Sequence, residues 1–190
     1  MTMQTSAPLV RQSLDATYRQ ARELARLVVE GRITLDAPYQ RGRVWTRRQQ
    51  RDLIRSWLLG LPVPTIITNA RWRTDDFDHL GPAFETAVID GKQRLSTAVD
   101  WFFGDLSVPS SWFEPDAVAR TVQTEDGPYV AHAGLTEPMR RFVANRFLLP
   151  VAEAAVGSVA QEALIFGLVN GGGVPQSALH LARVAAIVRG

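Results

Sequence analysis

The sequence contains no cysteine and a single lysine, Lys92, among its 190 residues. The first absence excludes disulfides, thiolate metal sites and cysteine nucleophiles. The second means that every other basic side chain is an arginine, whose planar fork suits bidentate contact with phosphate or carboxylate. A GC-rich genome produces the same bias. No apolar run approaches the roughly 20 residues needed to span a bilayer. The opening MTMQTSAPLVRQSLDATYRQ also lacks the charged-then-apolar layout of a signal peptide. A cytoplasmic location is expected. Histidine is scarce: His79, His132 and His180 are scattered without HxxxH or HxH spacing, which speaks against a histidine metal cluster or a histidine-based nuclease motif. The net charge of +2 is too small for a chain that coats nucleic acid along its whole length.

What is present is ordinary for a soluble globular chain, with 46% hydrophobic and 21% charged residues and no internal repeat. The length predicts one domain over residues 1–190, with about the first ten residues disordered. Leu14, Tyr18, Ala21, Ala25 and Val28 recur at helical spacing and predict a helix over 13–30, stopped by Gly31. A short strand and a loop follow in RITLDAPYQRGRVW, where Pro38 disfavours helix. Thr46 is a good N-cap for a helix to about Leu59. VPTIITNARWR and FETAVID are β-branched runs that predict strands on either side of a polar loop. KQRLSTAVDWFF carries a helical apolar stripe. Asp126-Gly127 marks a hairpin. LTEPMRRFVANR reads as helix, FLLPVAEAAV as strand, and SVAQEALIFGLVN and PQSALHLARVAAIVR as two further helices. Helices and short strands mixed without βαβ repetition predict an α+β fold.

Three stretches carry candidate chemistry. In VIDGKQRLST a strand delivers Asp90 to a helix start. Amides around Gly91 to Gln93 there are free to bind an anion, Lys92 and Arg94 add charge, and Asp90 is a candidate Mg²⁺ ligand or proton acceptor. The same pattern fits a capping box between Asp90 and Gln93, and it lacks the spacing of a Walker A loop. The second stretch, PYQRGRVWTRRQQRDLIR, places six arginines within fifteen residues with Tyr39 and Trp45 interleaved. That composition suits nucleotide or nucleic-acid docking, and equally a solvated helix face. Arg41 precedes the helix and is the expected ligand contact, whereas Arg43, Arg47, Arg48 and Arg51 form the expected polyanion face. The third, FGLVNGGGVP, sets Asn170 at a helix end beside glycines, which by itself is a common stop signal. Asp75, Asp76 and Asp78 read as a solvated loop run.

In this order the segments resemble the N-terminal domain of GmrSD-type modification-dependent restriction enzymes, a branch of the ParB/sulfiredoxin-like superfamily. Pro38, Gln40, Arg41 and Trp45 match its proline-then-QR segment, and Gly60, Pro62 and Pro64 match its G-x-P-x-P. IDGKQR at Ile89 to Arg94 matches the DGQQR box, and Phe166 to Asn170 match the FxxxN motif. The resemblance covers roughly residues 10–185. It implies a ParB/sulfiredoxin-like α+β fold, a small mixed sheet surrounded by helices, and a site that binds and hydrolyses a nucleoside triphosphate with Mg²⁺. By position, Asp90 and Arg94 are implied to be catalytic, with Asp90 holding Mg²⁺. Gln40, Arg41, Gly91, Lys92, Gln93 and Asn170 are implied to bind nucleotide.

Lys92 departs from the box, where glutamine is expected. Relatives continue into a nuclease region that this chain lacks at Gly190, so DNA cleavage by this chain alone is not expected. The leading expectation is therefore an NTPase or phosphotransferase in DNA restriction, defence or modification. The alternatives are a non-catalytic nucleotide- or DNA-binding module, and the specificity subunit of a two-chain nuclease whose partner cuts.

Overall fold

The computed structural model describes residues 14–40, 42–74, 86–170 and 186–187. A five-stranded mixed sheet organises them. In chain order its strands are β1 (Asp15–Gln20), β2 (Ile33–Thr34), β3 (Ile66–Ala70), β4 (Thr86–Asp90) and, late in the chain, β8 (Leu148–Ala154). The spatial order is β1-β8-β3-β4-β2. β3 pairs parallel with β8 and antiparallel with β4, while β2 runs parallel to β4. Every residue of central β3 is buried, as expected for a strand covered on both faces.

Two apolar clusters lie on opposite faces of this sheet. On one face pack α1 (Ala21–Val29), α2 (Arg47–Leu58), α3 (Lys92–Phe102) and α4 (Glu137–Arg146), around Leu24, Ile54, Leu95, Trp101 and Phe147. On the other lies α5 (Val159–Asn170), whose Ala163, Ile165 and Phe166 meet Ile67, Ile89 and the buried Tyr39. A three-stranded sheet of β5 (Ser107–Pro109), β6 (Val122–Thr124) and β7 (Gly127–Ala131), in the order β5-β7-β6, builds the middle of the chain. The Glu125-Asp126 turn joins β6 to β7, and Gly127 takes the positive φ of 109° that follows it, so the hairpin falls where Asp126-Gly127 places it. The fold is α+β, as the mixed pattern of elements predicts.

The helix predicted over 13–30 divides in two. Asp15–Gln20 is an edge strand paired antiparallel with Leu148–Glu153, and helix begins only at Ala21, whose N–H bonds the Phe147 carbonyl at 2.8 Å. Helical spacing in this stretch is real but was outweighed by a free sheet edge, which satisfies the backbone of six residues at once. The strand expected over VPTIITNARWR is shorter as well, closing at Ala70 into a 3-10 turn, Arg71–Arg73. Thr46 caps α2 as expected, and Gln49 completes a reciprocal capping box with it. α4 and β8 occupy the predicted stretches. The last predicted helix lies outside the described residues apart from 186–187, where Ile187 packs against the α5-side cluster. Asp75, Asp76, Asp78, His79 and His180 also lie outside them. Among the described residues no helix is long and apolar enough to cross a membrane.

Candidate functional site

The strand-to-helix junction at Asp90-Gly91-Lys92 is the structural centre of the site. Gly91 has φ 99° and ψ 12°, a left-handed conformation that turns the chain from β4 into α3. A Cβ at this position would stand 2.4 Å from Ile66 Cγ2 and 2.7 Å from its Cβ, so glycine is required by both backbone angle and space. The first intrahelical bond runs from Leu95 N–H to the Gly91 carbonyl at 3.0 Å. The amides of Lys92, Gln93 and Arg94 precede it and have no intrahelical acceptor.

The capping box expected between Asp90 and Gln93 does not form. Gly91 is the N-cap residue and no side chain caps the helix. Asp90 Oδ2 instead accepts from Arg94 Nη2 at 2.8 Å, an ion pair across one turn that is largely shielded from solvent. Gln93 turns away from the helix start. Its Oε1 accepts from Val44 N–H (3.1 Å) and Trp45 N–H (3.2 Å), and its Nε2 donates to the Gly42 carbonyl (2.9 Å). Once the positive φ of Gly91 re-aims the chain, this loop offers Gln93 three backbone partners, more than a cap would.

Gln40 makes the reciprocal clamp. Its Nε2 donates to the Val88 and Ile89 carbonyls at 2.7 and 2.8 Å, fixing the QR loop to the end of β4. Two carbonyl partners identify that atom as the amide nitrogen. Lys92 Nζ bonds Asp36 at 2.9 Å. Asn170, brought alongside by the last turn of α5, donates Nδ2 to the Phe166 carbonyl at 3.0 Å.

Between these groups lies an open cleft of about 160 Å³, lined by Gln40, Trp45, Asp90 to Arg94, Phe166 and Asn170 among others. The structure thus brings together Gln40, Asp90, Gly91, Lys92, Gln93, Arg94 and Asn170 from three separate stretches of chain. Arg41 lies outside the described residues. Among the described residues two buried polar atoms of cleft-lining side chains have no hydrogen-bond partner, Gln40 Oε1 and Arg94 Nε. One is an acceptor and the other a donor, and such orphans are costly unless a ligand or water completes them. Among the described residues no group of three histidine, aspartate or glutamate side chains could cage a metal. Among the described lining residues Asp90 is the single carboxylate, and its Oδ1 makes no hydrogen bond with another described residue. One carboxylate oxygen is the usual protein share of a magnesium ion that is otherwise held by phosphates and water.

The arginines expected to form a polyanion face are mostly engaged within the fold. Arg43 pairs with Asp100 at 2.9 Å and Arg47 with Asp105 at 2.7 Å. Arg51 Nε donates to the Ser107 carbonyl at 2.9 Å, while its guanidinium sits 4.7 Å from the centre of the Tyr129 ring. These contacts tie α2 to α3 and to the small sheet. Arg48 is exposed without a hydrogen bond or ion pair among the described residues.

Sequence reasoning missed a buried polar network beneath the cleft. Glu162 is fully buried and accepts from Arg71 Nε and Nη2 and from Asn69 Nδ2, each at 2.8 Å, and from Tyr39 O–H at 3.0 Å. Burial, with the Glu162 charge behind it, pushes the Tyr39 phenol well above its usual range, so it stays a donor. The network ties Tyr39, the neighbour of Gln40, to the first turn of the helix that carries Asn170. A glutamate inside VAQEALIFGLV, a run apolar but for it and Gln161, was the available signal.

The profile of the GmrSD restriction endonuclease N-terminal domain family matches residues 24–184. No curated protein and no solved structure matches the chain. The family match covers most of the sequence, and it takes in every described residue that lines the cleft. The chain therefore belongs to the GmrSD restriction endonuclease N-terminal domain family.

Proposed function

We propose that the cleft at the start of α3 binds the phosphates of a nucleoside triphosphate, and that the chain is the nucleotide-responsive part of a restriction system directed at DNA. The observation that carries this reading is the convergence of Gln40, Asp90 to Arg94 and Asn170 on one cleft where Arg94 Nε is buried with no acceptor among the described residues. Unpaired amides at a helix start attract anions, and a guanidinium donor beside them adds a charge-assisted bond. Gln40 Oε1 is an acceptor and suits a ribose hydroxyl or base N–H rather than phosphate. Magnesium carried by the nucleotide would use Asp90 Oδ1 and neutralise part of the phosphate charge.

Turnover is the stronger form of the proposal. In place of holding magnesium, Asp90 Oδ1 can orient an attacking water, with Arg94 beside it to offset charge on the phosphoryl oxygens. Binding and turnover separate by experiment. Calorimetry with ATP, GTP and CTP should give saturable binding of at least one, weakened in Arg94→Ala. Phosphate release should accompany it and vanish in Asp90→Ala. Absence of binding to all three triphosphates, with and without DNA, sinks the reading. Binding without release leaves a nucleotide-sensing module, and co-purification of a nuclease from the native host identifies the partner that cuts.

A further inference from the structure

A second cleft, of about 540 Å³ against about 160 Å³ for the first, opens at the far end of the sheet. Its walls come from α1, the start of β2 and the turn after β3, and include Arg19, Glu23, Leu27, Arg32, Trp72 and Glu153. Trp72 is the notable wall. It is 68% exposed, and that much indole is costly to leave in water. Its volume falls in the range of small-molecule sites, about 300–1,000 Å³.

The charge of the cleft selects its ligand. Among the described lining residues two arginines are matched by two glutamates, so a bare phosphate would meet carboxylates as often as guanidinium groups. Glu23 is held by Arg26 Nε at 3.0 Å, and Glu153 by Arg73 Nη1 at 3.2 Å. The Arg26 hydrogen bond keeps the Glu23 carboxyl below its usual range, so it remains an acceptor. The Arg73 guanidinium stands 6.0 Å from the centre of the Trp72 ring and stiffens the turn that carries it. A neutral, flat group with donors and acceptors around its edge fits this setting. It stacks on the indole, accepts from arginine N–H groups and donates to carboxylates.

We propose that this cleft binds an unstacked nucleobase of DNA, with Trp72 as the stacking platform. A base inside a duplex presents no face, so the ligand is a base in single-stranded DNA or one turned out of the helix. The site is separate from the phosphate cleft, and its test contains no nucleoside triphosphate, so the two readings stand or fall independently.

The experiment titrates the full chain into a short single-stranded DNA bearing one fluorescent adenine analogue, 2-aminopurine, whose emission falls on stacking. Wild type and Trp72→Phe should quench it saturably, and Trp72→Ala should weaken binding by about tenfold or more. An abasic strand of the same sequence should compete poorly against the base-bearing strand. That comparison uses only the wild-type protein, so it holds even if a variant folds badly. Equal binding by wild type and Trp72→Ala overturns the proposal. So does equal competition by the abasic strand, which would mean contact through phosphate alone. Displacement of the DNA by a tryptophan-containing peptide at lower concentration would reassign the cleft to a protein partner.

Discussion

Arg94 Nη2 lies 2.8 Å from Asp90 Oδ2, so the two residues with the most chemical potential in the box are each other's partner. Among the described residues the pair leaves the buried Arg94 Nε and Asp90 Oδ1 without a hydrogen bond. Arg94 also donates to the Thr65 carbonyl at 3.0 Å, which fixes the plane of the guanidinium. Substitutions should therefore separate binding from chemistry. Arg94→Lys keeps the charge but loses the fork, and should weaken triphosphate affinity about 10- to 100-fold, the worth of one or two charge-assisted bonds. Asp90→Asn should change affinity by less than about tenfold while abolishing phosphate release. Calorimetry and a release assay on the same preparations check both. Equal affinity of Arg94→Lys and wild type would remove Arg94 from the ligand contacts.

Gly91 makes the most local demand of any residue in the cleft. With φ 99° and Ile66 Cγ2 2.4 Å from the position of a Cβ, Gly91→Ala should lose about 1–3 kcal/mol to overpacking. Backbone strain in the left-handed region adds about 1–2 kcal/mol. Ile66→Ala removes the Cγ2 contact but keeps a Cβ 2.7 Å from the new methyl, so it should relieve only part of the overpacking and none of the strain. Chemical denaturation of wild type, both single variants and the double variant measures this: Gly91→Ala should still destabilise the Ile66→Ala protein, and no loss there would remove the backbone argument.

Much of this arrangement was legible in the sequence, but its geometry was not. The strand, the helix start and the Thr46 cap all rest on local pattern, and each formed where expected. The two glutamines show why local pattern stops short. Gln93 has the spacing of a capping residue yet bonds three backbone groups of a loop some fifty positions earlier, and Gln40 bonds β4 in return. Such contacts depend on the sheet order, which no window of sequence contains. β1 is misread for the same reason, because its partner strand lies over a hundred residues away. Arg43 and Arg47 look available only until Asp100 and Asp105 are placed opposite them.

The buried pair of Glu162 and Arg71 should be costly to break. Glu162→Gln keeps the shape but leaves the Arg71 charge facing a neutral amide in a buried setting. Removing one partner of a buried pair costs about 3–5 kcal/mol. For a chain of this size that corresponds to roughly 6–20 °C in Tm. Tyr39→Phe removes one bond to the same carboxylate and should cost less, about 1.5–3 kcal/mol. Thermal unfolding ranks them. A Glu162→Gln protein as stable as wild type would mean that the network contributes no net stability.

His132 gives the fold a pH dependence of predictable sign. Its ring packs edge-on against Trp101 and Phe102, its Nε2 is buried with no partner among the described residues, and burial depresses its pKa from 6.5 to about 4. Arg22 and Arg140 push in the same direction, against a backbone hydrogen bond at Arg140 that opposes them. The unfolded chain therefore binds a proton near pH 6.5 that the folded chain refuses until about pH 4. This residue's contribution is fully present above about pH 6.5 and is lost progressively as the pH falls to about 4. His132→Phe suits an aromatic pocket and cannot titrate, so it should remove that part of the acid sensitivity. Subtracting its Tm curve from wild type between pH 7 and pH 4 cancels the carboxylates common to both. The difference should grow in favour of the variant towards low pH. A flat difference would mean that His132 titrates alike in the folded and unfolded chain, which the burial of Nε2 argues against.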